Sequence, residues 1–133
     1  MPHRIIINDL EIPRKRKVTD EIKWICNSLG FSSGRDIEDT SFKIMNELLL
    51  HFKKSEIVSS EELSKSLKLD TPCINHHLRN FVNSGVIIRE KRKVALRGRS
   101  LTSAIEEIQK DCDRMFEKII AISKEIDKEF KFY

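Results

Sequence analysis

Across residues 71–84 the chain sets hydrogen-bonding side chains on one side of a helical spacing and apolar ones on the other. At about 100° per residue from Ile74, the apolar Leu78, Phe81 and Val82 gather together. His76, Asn80 and Asn83 fall opposite, Cys73 and Arg79 flank them, and Asn75 and His77 lie at the borders. This is a set able to read base edges. Asn75 or Asn80 can bond an adenine, His76 and Arg79 can donate to guanine or to phosphate, and Cys73 can touch a thymine methyl. Thr71 opens the segment, where the free N–H groups and dipole of a helix N-terminus favour a phosphate.

A second cationic group follows closely. Val86-Ile87-Ile88 and Val94-Ala95-Leu96 predict two short strands around residues 90–93, so Arg89, Lys91, Arg92 and Lys93 would ride on a hairpin suited to phosphates or a narrow minor groove. Arg97 and Arg99 extend the positive surface. Far upstream, Arg14, Lys15, Arg16 and Lys17 form a basic run after Pro13. It reads equally as a phosphate-seeking arm and as a solvated tail, with a localisation signal as a third reading.

The elements that must hold these groups are legible around them. Ser59 with Glu62 forms a capping box before a short helix with Leu63 and Leu67 inward, while Ser60 with Leu63 competes for the same start without one. Lys68 stands where a left-handed turn residue is needed, Leu69 packs that turn, Asp70 caps the next helix and Pro72 sits in its first turn. Gly85 ends it. Upstream, Thr19 or Asp20 would cap a helix carrying Ile22, Trp24, Ile25 and Leu29 and ending at Gly30; residues 31–35 are loop chemistry. A helix over residues 39–53 presents Phe42, Met45, Leu48, Leu49 and Phe52 as a core-facing stripe. Ile5-Ile6-Ile7 is β-prone.

From Ser100 onward the pattern changes to a heptad repeat. Leu101, Ile105, Ile108, Cys112, Met115, Ile119, Ile122 and Ile126 recur at alternating spacings of four and three, without Gly or Pro. A helix of that length spans roughly 40–45 Å, more than so small a body can cover. The stripe therefore predicts a dimer interface, although Phe116 and Ile120 widen it enough for part to lie on the chain's own first helix. Isoleucine at both seam positions leaves open a parallel pair, an antiparallel pair, or a four-helix interface shared with residues 20–29.

The chain has 133 residues, with 25 Lys and Arg against 21 Asp and Glu, a net charge of +4. Residues 101–133 are net acidic, so the positive charge concentrates upstream, as a polyanion partner requires. The interleaved acids and bases of the tail read as a solvated face. Three distant cysteines imply no disulfide framework and a reducing interior. No signal pattern or membrane-length apolar run is present, which with the reducing interior leads us to expect a soluble, cytoplasmic protein. Abundant Lys, Glu and Ile hint weakly at a warm-living or AT-rich source.

Residues 60–69, then 70–78 with the His76-His77-Leu78 triplet, then Ser84-Gly85-Val86-Ile87 resemble the ArsR-type family of winged-helix transcriptional regulators. The likeness spans residues 42–96. It implies a dimeric DNA-binding repressor or activator whose terminal helices build the interface. Two departures stand out: Lys68 replaces the family's small turn residue, and Glu61, Glu62, Ser64 and Lys65 occupy the helix where the family carries metal-sensing cysteines.

Other chemistries fare worse. Cys73, His76 and His77 lie at ligand spacing, but a closed zinc site needs four ligands, and His3, His51, Cys26 and Cys112 are scattered. Cys112 reads as a small core residue, and Trp24 and the phenylalanines as core. No phosphate-cradling glycine loop, nucleophile motif or paired-carboxylate setting supports an enzyme. The expectation is a mainly α winged helix-turn-helix with a small β-hairpin wing and a long C-terminal dimerisation helix. Residues 1–19 form a strand and basic arm, 20–99 the DNA-binding domain, and 100–133 the dimerisation helix. It would bind double-stranded DNA as a homodimer, with no membrane, metal or cofactor and an unknown effector. The alternative is a winged helix of transcription or replication machinery that docks on protein without touching DNA.

Overall fold

The computed structural model describes residues 4–32 and 39–132. His3, part of the expected loop (residues 33–35) and Tyr133 lie outside the described residues. The chain is mainly helical, with α1 (Val18–Ser28), α2 (Thr40–Phe52), β1 (Ile57–Ser59), α3 (Ser60–Leu67), α4 (Thr71–Ser84), β2 (Ile87–Glu90), β3 (Lys93–Leu96) and α5 (Leu101–Phe130). A short 3₁₀ turn, Arg97–Arg99, joins β3 to α5.

The expected apolar stripes converge on one core. Met45 and Leu48 of α2, Leu63 of α3, and Ile74, Leu78 and Phe81 of α4 are buried. Phe42, Leu49 and Phe52 are only half-buried against them, and Ile44, outside the expected stripe, takes the central place in α2. Each buried side chain contributes about 1.5–3 kcal/mol by leaving water. Phe31 meets Phe81 at 4.7 Å between ring centroids.

Three strands pair antiparallel in the order β1-β3-β2, with Val58 opposite Val94 and Arg89 opposite Val94 on its other side. The two hairpin strands were legible in the sequence; β1 was not. It closes the edge of β3 that the hairpin leaves open, satisfying backbone groups that would otherwise be unpaired.

The N-terminal segment departs from expectation. Ile5-Ile6-Ile7 forms no strand; it belongs to an extended strap that meets helix ends. Arg4 N–H donates to the carbonyl of Asn83 at 3.2 Å and Asn8 N–H to that of Ser28 at 2.7 Å. Carbonyls at helix C-termini lack intrahelical donors, so they take the strap where no sheet edge does. The strap then runs back beside α1, where Trp24 Nε1–H donates to the Glu11 carbonyl at 2.8 Å. It passes so close to Gly30 that an added Cβ there would lie 2.7 Å from Ile6 Cγ2, and Gly30 also takes φ +72°. Neither Thr19 nor Asp20 caps α1. The helix starts at Val18, with extended Lys17 at the cap position and no side-chain bond, because the strap delivers the chain there already extended.

Candidate nucleic-acid interface

The short helix α3 begins at the Ser59–Glu62 capping box, in which Ser59 Oγ accepts from Glu62 N–H at 3.1 Å and the Glu62 carboxylate accepts from Ser59 N–H at 2.9 Å. Lys68 takes the left-handed conformation that ends it (φ 56°, ψ 39°), and Asp70 starts α4 by accepting from Cys73 N–H at 2.8 Å. These caps set the roll of α4. With Ile74, Leu78 and Phe81 sunk in the core, His76, Arg79 and Asn80 are exposed, while Thr71, Cys73, Asn75 and Asn83 are half-buried. His76 also meets the His77 ring edge-on at 5.2 Å.

One expectation weakens at the start of this helix. Pro72 has no N–H, Cys73 N–H is held by the Asp70 carboxylate, and Ile74 N–H by the Asp70 carbonyl at 3.2 Å. The Asp70 carboxylate thus takes an N–H of the first turn that a phosphate would use, which leaves this end less open to an anion than the sequence implies. Phosphate contact then falls mainly to side chains.

The basic hairpin supplies them. Arg89, Lys91, Arg92 and Lys93 are all exposed, against the single Glu90 among them. Lys91 and Arg92 make the two-residue connection, and Lys91 takes φ +60°, a conformation usually left to glycine. Gly85 (φ +91°) turns the chain from α4 towards this hairpin.

Of the two further cations expected on the positive surface, Arg97 leaves it, while Arg99 stays exposed with its charge paired. Arg97 turns inward, bonding both carboxylate oxygens of Asp111 and the Gly85 carbonyl. Arg99 pairs with Glu56. Asp111, read as part of a solvated face, is in fact only 2% exposed and also takes Arg114 at 3.0 Å. The hydrogen bond to Arg97, reinforced by Arg114, holds its carboxyl below the usual carboxylate range, and the same bond raises Arg97. Arg97 thus ties the end of α4 to α5 rather than facing a ligand.

The basic run stays on the surface. Arg14, Lys15 and Lys17 are exposed, and Arg16 Nε donates to Glu21 at 3.0 Å. The strap before it is seated on the body, so the run is a corner before α1 rather than the tip of a loose arm. Arg4 is the addition that sequence spacing could not reveal. It lies with Asn80 and Asn83 around a cleft of about 300 Å³ that Ile6, Gly30 and Phe31 also line.

The long helix divides in two. Ile108 is 3% exposed in the chain's own core, and Leu101, Ile105 and Cys112 pack against that core. These four were expected in a dimer seam; the body claims them because the heptad stripe begins where β3 hands the chain to α5. Burial raises the Cys112 thiol above its ordinary value, with Asp111 and Asp113 adding to it. Met115 is half-buried, and Ile119, Ile122 and Ile126 are at least 50% exposed.

Among the described residues, no three His, Cys, Asp or Glu side chains gather as a metal site, and no helix is long and apolar enough to cross a membrane. Comparison with protein-family models, with characterised proteins and with solved structures finds no match in any of the three.

Proposed function

We propose that the chain is a homodimeric, sequence-specific double-stranded DNA-binding regulator of transcription. On this reading it is a winged helix-turn-helix of the ArsR-like kind without that family's metal-sensing cysteines. Its recognition helix is α4 and its wing is the β2–β3 hairpin. The observation that carries the reading is the exposed row His76, Arg79 and Asn80, on a helix whose opposite face is fully buried, followed directly by a hairpin bearing four exposed cations. A helix fixed so firmly by one face can present the other to a major groove in a single orientation. Cations on a protruding hairpin supply the salt-sensitive, sequence-independent share of affinity.

The test is selection of bound fragments from a pool of randomised duplexes by the purified full-length chain. The expected product is a pair of inverted half-sites centred about one helical turn, roughly 34 Å, apart. Retention should weaken as salt is raised. No enriched sequence and no salt-sensitive retention would overturn the reading in favour of a protein-docking winged helix.

A further inference from the structure

The distal half of α5 leaves an apolar face with nothing of its own chain to cover it. Phe116 is 60% exposed, Ile119 59%, Ile122 56%, Ile126 50% and Phe130 66%. Side chains of this size, at roughly 100 Å² each, would put about 1,000 Å² into a two-chain interface, the lower bound for a specific pair. Per chain this is about 500 Å², the size of a monomer's largest apolar patch, which is often a functional surface. We propose that a second copy covers it by pairing α5 antiparallel, about a dyad between Ile120 and Ala121. This deepens the homodimer part of the reading above and rests on it.

Charge placement selects both the orientation and the register. Glu129 continues the same seam as Met115 and Ile122. A parallel pair would set it against the partner's Glu129, and would face Lys118 and Glu125 with the partner's Ser123 and the partner's Phe130. That arrangement has one like-charge clash in the seam and no ion pair on its flanks. Turning one helix round removes the clash. Ile119 then opposes the partner's Ile122 and Met115 opposes the partner's Ile126, each twice by symmetry, so four consecutive seam layers are apolar. In the same register Lys118 lies beside the partner's Glu125, again twice. Shifting the antiparallel pair by one heptad would place Ile119 against the partner's Glu129 and set the partner's Glu125 beside Glu125. Only the first arrangement joins apolar layers to opposite charges.

Sedimentation equilibrium of the full chain tests this, using substitutions confined to exposed positions. Lys118→Glu and Glu125→Lys should each weaken the dimer about five- to tenfold, since two cross-pairs turn repulsive in each case. The double variant should return to within about twofold of the original affinity, because the pairs are restored in reverse. Ile122→Glu should give monomers. If the unaltered chain is monomeric throughout, dimerisation itself is wrong. If Ile122→Glu splits the dimer but the double charge variant stays as weak as the single ones, the dimer stands and the antiparallel register falls. A dimer indifferent to Ile122→Glu would overturn this face as the seam.

Discussion

At the residue scale, two arginines of similar sequence setting have opposite uses. Arg79 is exposed on α4 and pairs with no carboxylate among the described residues, whereas Arg97 is held by Asp111 beneath α5. Replacing Arg79 or His76 by Ala should leave the fold intact and cost about 1–3 kcal/mol each in binding a selected duplex, with little effect on non-specific duplex. Competition titrations with the two duplexes measure this. Asp111 should behave in the reverse manner. Its carboxyl is held below the usual value by Arg97, so the unfolded chain takes up a proton first as pH falls. The stabilisation is therefore complete above about pH 5 and is lost as pH drops through and below about 4. Asp111→Asn should lower unfolding free energy by about 2–3 kcal/mol at neutral pH, less than for a fully buried pair because Arg97 and Arg114 keep some water. The gap from the unaltered chain should narrow as the pH falls below about 4. Urea unfolding at a series of pH values gives both quantities.

At the element scale, on the proposed reading, the hairpin sets stability against DNA binding. Lys91 holds φ +60° at a turn where glycine would be relaxed, and it keeps a cation at the tip in return. Lys91→Gly should therefore raise thermal stability by about 0.5–1 kcal/mol while weakening binding to all duplexes and lowering the slope of its salt dependence. A thermal melt and a salt titration of the same variant separate the two effects. Helices of this kind are legible because their signals are local: Ser59 with Glu62, Asp70 three residues before the N–H it caps, and Ile74, Leu78 and Phe81 at one-turn spacing. Strand β1 was invisible for the opposite reason. It is three residues long and is made a strand only by pairing with Lys93–Ala95, far along the chain. Residues 101–112 and 115–126 carry one unbroken heptad pattern, so nothing local marks where the body stops covering the stripe. Asp111 likewise looks like any surface acid until Arg97 arrives beneath it. The candidate interface was half legible, since α4 and the hairpin are contiguous segments; Arg4 reaches it only through the fold.

At the scale of the whole molecule, the strap ties together the C-terminal ends of α4 and α1. It starts at the outer end of α4, where Arg4 meets Asn83, and finishes over α1, where the Glu11 carbonyl accepts the Trp24 indole N–H. The chain contains one tryptophan, so its fluorescence has a single source. Lifting the strap would wet that indole and move its emission to longer wavelength, whereas parting two copies of α5 would leave it unchanged. Titrating a selected duplex into unlabelled protein should accordingly hold the emission maximum steady if Arg4 stays seated, and red-shift it if the polyanion draws Arg4 away. The molecule thus carries an intrinsic optical gauge of its own N-terminal clasp.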